Sequence, residues 1–262
     1  MLDDKMIQAI THIAHTAGDA IMEIYQRDFA IYEKADASPL TEADLAAHNC
    51  IVAGLEKLSS LPILSEESAT IAWSERQTWD RYWLVDPLDG TKEFIKKNGE
   101  FTVNIALIDQ GVPVFGVVYA PVLKHTYVGQ LGQGAYKLEG SERRAISPKQ
   151  KVADESWKIV GSRSHQSPEI QALLDALDGD TELVAMGSSL KLCLVAEGAA
   201  HLYPRLGPTC EWDTGAAQAV VEAAGGKVTI IEDASQVLNK DAKPLRYNQK
   251  DSVLNPYFLV SC

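Results

Sequence analysis

Apolar residues recur at helical spacing in the first 60 residues of the chain. The spacing between Met6 and Tyr25 predicts one amphipathic helix. A second helix is predicted to begin near Thr41, because Pro39 precedes it as a start signal. Thr41 and Asp44 fit the capping-box pattern, in which side chains satisfy the free amide groups at a helix start. The amino terminus is therefore predicted to form two helices.

Short apolar runs separated by turn residues follow the two helices. Strands are predicted over residues 61–64, 82–85, 102–108, 112–119, 125–129 and 135–138. The close spacing of the last four, with glycine and proline between them, is typical of an antiparallel meander with tight turns. Residues 1–147 are therefore predicted to form helices packed on a mainly antiparallel sheet, which makes this half α+β.

Strands and helices alternate after Pro148. Strands are predicted over 158–160, 183–186, 201–203, 228–230 and 258–260, and helices over 168–177, 189–197 and 214–224. The pair Gly225-Gly226 closes the last helix. Residues 148–262 are therefore predicted to form a second α/β layer, with a domain boundary near Ser147.

Composition narrows the class of protein. With 262 residues, 46% of them hydrophobic, the chain can bury a sizeable core. A net charge of −12 argues against a nucleic-acid polymer as partner, but a bound metal would still admit a small phosphate ester. The four cysteines form no C-x-x-C pair, so we expect free thiols in a reducing cytosol. The sequence shows neither a secretory signal nor a run long enough to span a bilayer, and we expect a soluble, intracellular protein.

Acidic residues follow two of the short apolar runs. Glu66 and Glu67 come after the first run, and Asp86 and Asp89 come after the second. Aspartate and glycine commonly form turns at strand ends, which is the simpler interpretation. Neighbouring buried carboxylates are costly, however, unless cations or hydrogen bonds compensate them. A hard divalent cation would supply that compensation.

A further acid, Asp213, is predicted to be the N-cap of the last long helix, with Thr214 as the first helical residue. Together with the other acids it completes an oxygen-rich set that suits Mg²⁺. The set consists of Glu66, Asp86, Asp89, Asp213 and the carbonyl of Leu88. Two magnesium ions about 4 Å apart could clamp the attacking and leaving oxygens of a phosphoryl transfer. Gly90 would permit close backbone approach, and the amides of Gly90 and Thr91 would hold a phosphate.

Three stretches, LSEES, DPLDGT and EWDTGAA, resemble the signature of the lithium-sensitive, magnesium-dependent inositol monophosphatase superfamily, and SPLTEAD extends the resemblance. The variants DGTKEF, GSSLK and YPRLGPTCEWDT most resemble bacterial 3′(2′),5′-bisphosphate nucleotidases of the CysQ type. The resemblance implies a layered αβαβα sugar-phosphatase fold. It also implies removal of the 3′-phosphate from adenosine 3′,5′-bisphosphate, a by-product of sulfate assimilation, with 3′-phosphoadenylyl sulfate as a further substrate. Such a protein is cytoplasmic and could associate peripherally with the inner membrane.

The resemblance also implies roles for individual residues. Glu66, Asp86 and the Leu88 carbonyl would bind the first metal, and Asp86, Asp89 and Asp213 the second. Asp44 and Thr91 would orient and deprotonate the attacking water, although Asp44 also remains a candidate helix cap. The candidate substrate contacts are Glu66, Leu88, Asp89, Gly90, Thr91, His165, Ser189, Lys191, Arg205 and Asp213. Lys191 and Arg205 are candidates for the remaining 5′-phosphate, which charge-assisted hydrogen bonds would hold. For His165, Ser189, Lys191 and Arg205, a solvated basic residue or a helix cap is the competing interpretation.

Three alternatives remain open from the sequence. An inositol or sugar phosphatase would use the same metals, and a panel of phosphate esters would separate it from a nucleotidase. LDGT also resembles the D-x-D-G-T loop of haloacid-dehalogenase-like phosphatases, but two residues separate Asp86 from Asp89 where that loop has one. Such an enzyme would form an aspartyl-phosphate. The third alternative is a metal-dependent binding module that has kept the fold without the activity.

Overall fold

A computed structural model describes residues 1–33, 39–68, 70–161, 168–232 and 241–262. The helices are α1 (Asp4–Tyr25), α2 (Glu42–Leu58), α3 (Trp73–Arg76), α4 (Thr91–Ile95), α5 (Pro168–Asp175), α6 (Leu190–Ala196) and α7 (Glu211–Ala224). None of the helices in these ranges combines the length and the apolar character that a membrane span requires. A 3₁₀ turn, Glu66–Ser68, follows the third strand.

The first and larger sheet has seven strands. In chain order they are β3 (Ile63–Ser65), β4 (Arg81–Asp89), β5 (Thr102–Asp109), β6 (Val112–Ala120), β7 (His125–Gln130), β8 (Gly134–Glu139) and β9 (Glu142–Ile146). Spatial order follows chain order, and only the β3–β4 pair of this sheet is parallel. The predicted antiparallel meander is thus confirmed. β9 was not predicted from the sequence, because the solvent-exposed Glu142, Arg143 and Arg144 of this edge strand lack apolar alternation.

A second sheet of five strands follows. Its strands are β10 (Trp157–Gly161), β11 (Thr181–Ala185), β12 (Leu202–Arg205), β13 (Lys227–Ile230) and β14 (Phe258–Ser261), in the spatial order β11-β10-β12-β14-β13. β10 runs parallel to β11 and β12, whereas β14 runs antiparallel to β12 and β13. Two short strands, β1 (Ile31–Glu33) and β2 (Pro39–Thr41), form a separate antiparallel pair. The predicted alternation of strands and helices in this half is confirmed.

Burial divides the elements into five layers. Side chains of α1 and α2, such as Ile10 and Ile51, pack with Trp83 and Val103 on one face of the seven-stranded sheet. The opposite face packs against α7, and α6 lies beside α7 against the second sheet. Leu173 of α5 covers the outer face of that second sheet. The predicted αβαβα layering is confirmed, while the division into two domains at residue 147 stays a prediction.

Helix α7 lies very close to the first sheet. A Cβ atom added to Gly116 of β6 would lie 2.1 Å from the carbonyl oxygen of Ala216. A Cβ atom added to Gly129 of β7 would likewise lie 2.6 Å from the Cα atom of Val220. Because only hydrogen fits at these two positions, the sheet and the helix approach at backbone distance. The amino-terminal turn of α7, which carries Asp213, is therefore held at a definite depth against the sheet.

Both α2 and α7 begin with a capping box. The start predicted from the sequence was correct for α2 and wrong for α7. Thr41 caps α2 and forms the predicted capping box with Asp44. The prediction that Asp213 is the N-cap of the last helix, with Thr214 its first residue, was wrong. Cys210 is the N-cap and Asp213 is the third helical residue, whose Oδ2 accepts a hydrogen bond from the Cys210 amide at 2.9 Å. Asp213 thus has the reach-back role of a capping box, which leaves its side chain at the helix end.

Candidate active site

A bulge in β4 brings the two aspartates of DPLD to one face of the sheet. Asp86 pairs with Asn104 of β5 and Asp89 pairs with Thr102, so four residues of β4 face three of β5. In a regular strand, residues three apart point to opposite faces, but one extra residue restores the common face. Asp86, Asp89, Thr102 and Asn104 therefore all belong to the face that packs towards α6 and α7.

The first turn of α7 adds Asp213 to this face. Carboxylate oxygens of Asp86, Asp89 and Asp213 lie within 4.8 Å of one another. The side chain of Glu66, from the 3₁₀ turn after β3, is in hydrogen-bonding contact with Asp86. The Leu88 amide also donates to Asp86 Oδ1 at 3.1 Å. The structure thus brings together the acids that the sequence proposed as metal ligands.

Crowding of these acids changes their acidity. Burial, followed by the charges of Glu66, Asp89 and Asp213, raises the pKa of Asp86 well above its usual value. Burial, followed by the charge of Asp89, raises the pKa of Asp213 to about 8. A cation between the carboxylates would remove this penalty, and oxygen donors of this kind suit hard divalent metals. The residues therefore fit a metal centre.

Asp44 lies at the edge of this cluster and uses both carboxylate oxygens. Oδ2 accepts hydrogen bonds from the amide and the hydroxyl of Thr41, at 2.8 and 2.7 Å. Oδ1 accepts from the Thr91 hydroxyl at 3.2 Å, and that hydroxyl also lies 3.3 Å from the Leu88 carbonyl oxygen. The structure thus supports the cap and at the same time places Asp44 against Thr91, so the two interpretations are compatible.

Gly90 forms the turn between the two aspartates and Thr91. Its φ of 92° is left-handed, and an added Cβ would lie 3.1 Å from the Glu100 carbonyl oxygen and 3.3 Å from Ser188 Cβ. Glycine relieves both constraints, since it has no Cβ. The turn leads into the short helix α4, which begins at Thr91. A phosphate-binding role for the amides of Gly90 and Thr91 stays a prediction.

The proposed nucleotide contacts lie in different surroundings. Ser189 is buried, and its hydroxyl lies 2.7 Å from Asp89 Oδ2, so its side chain faces the acids. The Lys191 ammonium lies 5.8 Å from the centre of the Tyr203 ring, and burial lowers its pKa, partly offset by Asp89. Arg205 Nη2 donates to the Pro208 carbonyl at 2.8 Å. His165 lies outside the described residues. All four remain predictions as substrate contacts.

Two polar residues of this face, Thr102 and Asn104, were missed by the sequence analysis. Both are fully buried, and Asn104 Nδ2 donates to the Ser189 hydroxyl at 2.9 Å. Their signal is visible in TVNIALID, where polar side chains occupy alternate positions at the start of an otherwise apolar strand. Polar positions with period 2 share one face, which here is the face of Asp86 and Asp89.

Comparison with known proteins agrees with this architecture. A sequence model of the inositol monophosphatase family matches residues 2–256. The chain belongs to this family. It is 49% identical, over 260 residues, to the 3′(2′),5′-bisphosphate nucleotidase CysQ of Escherichia coli, covering 98% of this chain and 99% of that protein. A Haemophilus influenzae protein with the same name is 34% identical over 264 residues, with 99% and 93% coverage.

A solved structure extends the comparison to three dimensions. The crystal structure of CysQ from Bacteroides thetaiotaomicron, described as a bacterial member of the inositol monophosphatase family, matches with a TM-score of 0.82. It is 43% identical, and the match covers 97% of this chain and 96% of that one. Membership of the inositol monophosphatase family removes the haloacid-dehalogenase alternative, because the whole chain follows a different family pattern.

Proposed function

We propose that the protein is a magnesium-dependent 3′(2′),5′-bisphosphate nucleotidase that converts adenosine 3′,5′-bisphosphate to AMP and phosphate. The observation that carries the proposal is the contact of the Thr91 hydroxyl with Asp44, at the edge of a carboxylate cluster in which Asp86 is buried and Asp89 and Asp213 are half-buried. Enzymes of the inositol monophosphatase family are metal dependent. Near full-length relatives at 49% identity bear the nucleotidase name, which supports the choice of substrate.

The acids divide naturally between two metal positions. Glu66, Asp86 and the Leu88 carbonyl would hold one ion, and Asp86, Asp89 and Asp213 would hold the other. Bound Mg²⁺ supplies Lewis-acid chemistry, because it withdraws charge from phosphate oxygens and makes a water more acidic. Asp86 belongs to both proposed ligand sets, which agrees with its burial beside Glu66, Asp89 and Asp213.

Asp44 and Thr91 supply the path for the proton of the attacking water. The Thr91 hydroxyl donates its proton to Asp44 Oδ1, which leaves the oxygen of Thr91 able to accept a hydrogen bond from water. As the water oxygen bonds to phosphorus, one water proton passes to Thr91 and the Thr91 proton passes to Asp44. The bond between phosphorus and the ribose 3′-oxygen breaks, and the departing oxygen takes a proton from solvent to become the 3′-hydroxyl of AMP. Asp44 therefore acts as the base, while its other oxygen keeps the end of α2 capped.

The remaining part of the substrate carries a second phosphate. Lys191 and Arg205 are our candidates for this 5′-phosphate, with Ser189 and His165 near the nucleoside. We also propose 3′-phosphoadenylyl sulfate as a substrate, because its sulfate is attached to the 5′-phosphate, away from the bond that breaks. A cytoplasmic site of action is part of the proposal and agrees with the four cysteines, which form no disulfide.

A phosphate-release assay with three esters tests the choice of substrate. Adenosine 3′,5′-bisphosphate, inositol 1-phosphate and fructose 1,6-bisphosphate are compared at equal concentration with Mg²⁺. We expect kcat/KM to be at least about tenfold higher for the nucleotide, since a site that pairs charges with both phosphates discriminates strongly. A preference for inositol 1-phosphate would overturn the nucleotidase proposal and leave an inositol phosphatase with the same acids.

A further inference from the structure

A line of buried hydrogen bonds runs behind the acidic cluster. Ser188 and Thr102 hydroxyls lie 2.7 Å apart, and Thr102 Oγ1 donates to Asn104 Oδ1 at 3.0 Å. Asn104 Nδ2 donates to Ser189 Oγ at 2.9 Å, and Ser189 Oγ lies 2.7 Å from Asp89 Oδ2. Asn104 is 1% exposed and Ser189 is 1% exposed, so water does not compete for these bonds.

The number of protons on each side chain determines which group donates in each hydrogen bond of this line. A hydroxyl carries one proton, so Thr102, which donates to Asn104, must accept from Ser188. Ser189 accepts the amide proton of Asn104 and can send its own proton only onward, to Asp89 Oδ2 or to the Asp213 carbonyl oxygen at 2.6 Å. With the amide of Asn104 reversed, the Ser189 proton would point back to Asn104. The orientation of one amide thus decides whether the Ser189 proton is available to Asp89.

We propose that Asn104 is a positioning residue that sets Asp89 for metal binding by acting through Ser189. Asp89 Oδ2 accepts both the amide and the hydroxyl of Ser189. These two bonds hold Oδ2 in place and leave Oδ1 without a bond to Ser189, in a residue whose carboxylate lies within 4.8 Å of those of Asp86 and Asp213. The inference rests on the proposed function, since the orientation of Asp89 matters for activity only if Asp89 binds metal.

The line also joins four elements at the point where the ligands meet. Asn104 and Thr102 come from β5 and pair with Asp86 and Asp89 of β4. Ser189 lies just before α6 and reaches the backbone of α7 at Asp213. Partners of this kind typically contribute 10- to 100-fold to metal affinity, because they orient the ligand before the metal arrives. We expect an effect of that size from Asn104.

The test uses two variants, their combination and a matched control. Asn104→Leu keeps the volume of the side chain and removes its hydrogen bonds, while Ser189→Ala removes the hydroxyl between Asn104 and Asp89. Asn104→Ala is measured beside Asn104→Leu, because it also removes the hydrogen bonds and keeps the test valid if the leucine variant does not fold. Thr126→Val is the control, because Thr126 is a buried polar residue of the same sheet whose partner is His15.

Mn²⁺ or Mg²⁺ alone is titrated into each variant by calorimetry, and the Mg²⁺ requirement and the nucleotide KM are then measured in the phosphate-release assay. We expect Asn104→Leu to weaken metal binding about 10- to 100-fold with the nucleotide KM within about twofold of the wild-type value. The Asn104→Leu/Ser189→Ala double variant should be no weaker than Ser189→Ala, because Asn104 acts through Ser189. Thr126→Val should lower the melting temperature and leave metal affinity unchanged.

Two results would overturn the inference while leaving the proposed function intact. The first is wild-type metal affinity in both Asn104 variants, which would show that Asn104 only fills space. The second is a double variant whose loss equals the product of the single losses, which would show that Asn104 does not act through Ser189. If the wild-type protein itself neither binds metal nor releases phosphate, the proposed function fails instead.

Discussion

At the scale of single residues, Asp44 shows how one carboxylate serves both the fold and the chemistry. Its Oδ2 satisfies the amino-terminal end of α2 through Thr41, and its Oδ1 faces Thr91. An asparagine could keep the first contact with its carbonyl oxygen. The amide nitrogen would then face Thr91, and the group that accepts the Thr91 proton would be lost.

We therefore expect Asp44→Asn to lower kcat at least about 100-fold, the usual cost of removing a general base. The melting temperature should change little, since asparagine and aspartate cap comparably. Glu42→Gln is the matched control, because Glu42 lies in the same helical turn but pairs with Arg27 at the surface. Near-normal kcat in Asp44→Asn would show that Asp44 is a cap alone.

Asp213 gives a pH-dependent prediction for the metal-free protein. Its folded pKa of about 8 lies above the unfolded value, so the fold favours the protonated carboxyl. The protonated Asp213 carboxyl therefore makes its full contribution to stability below about pH 4, and this contribution is lost as the pH rises through about 8. An asparagine at this position would not titrate, although its side-chain oxygen could still accept the Cys210 amide.

Asp213→Asn should therefore stabilise the chelated protein by at least about 1 kcal/mol more at pH 8.5 than at pH 4.5. In the presence of Mg²⁺ the same change should weaken metal binding and activity steeply, since hard cations prefer a carboxylate to an amide. Melting curves across this pH range, with and without Mg²⁺, provide the measurement. A variant that is unchanged in both conditions would remove Asp213 from the metal centre.

The sequence identified the acids of the site but missed their supporting residues. DPLDGT and EWDTGAA stand out because acids that follow apolar runs need an explanation. Asn104 does not follow an apolar run, and only the pairing register of β4 and β5 places it opposite Asp86. The predicted start of α7 was also wrong, because aspartate is common at the N-cap position and cysteine, which occupies it here as Cys210, is rare there.

At the scale of elements, the β4–α4 turn depends on one left-handed glycine. Gly90→Ala would incur both the conformational cost of a left-handed alanine, about 1–2 kcal/mol, and a close contact with the Glu100 carbonyl. Relief of that contact would displace Thr91 from Asp44. We expect Gly90→Ala to lower stability by at least about 1 kcal/mol and kcat by at least about tenfold.

Gly132→Ala is the control for this prediction. Gly132 also has a positive φ, of 78°, but an added Cβ would meet nothing within 4 Å. The conformational cost is the same and the turn is remote from the acids, so this variant should lose stability and keep its kcat. Equal loss of kcat in the two variants, measured with stability in urea, would contradict the role of the β4–α4 turn.

Most elements were predicted where burial produces a simple pattern. The strands of the meander alternate or form short apolar runs, and α1 has a clear apolar stripe. β9 lacked the pattern because it is an edge strand in which residues 142–145 are exposed and only Ile146 is buried. Local periodicity thus reports burial, and an element with little burial leaves little trace in the sequence.

At the scale of the whole molecule, the site joins parts that are far apart in the chain. Asp86 and Asp89 lie at the end of a strand of the first sheet, while Asp213 lies in the first turn of the helix between the two sheets. Periodicity could not predict this sandwich of layers, which followed only from the family resemblance. Gly116 of β6 and Gly129 of β7 allow α7 to lie close to the first sheet. Such a close approach of a helix to a sheet leaves no periodic signal in the sequence.

Metal should therefore stabilise the whole fold. At a free Mg²⁺ concentration 100 times the dissociation constant, binding adds about 2.7 kcal/mol to the free energy of unfolding. We expect the melting temperature to rise with Mg²⁺ and to fall again after chelation, and Asp213→Asn should abolish most of this rise. A melting temperature that is insensitive to Mg²⁺ in the wild-type protein would contradict a metal centre that joins β4 to α7.

In the proposed function, the acids hold magnesium for the removal of one particular phosphate, the 3′-phosphate. Phosphorus NMR of adenosine 3′,5′-bisphosphate, incubated with chelated enzyme and then titrated with Mg²⁺, tests both parts in one experiment. We expect no reaction before Mg²⁺ is added, followed by loss of the 3′-phosphate signal while the 5′-phosphate signal of AMP persists. Turnover in the chelated enzyme, or loss of the 5′-phosphate instead, would contradict the proposed function.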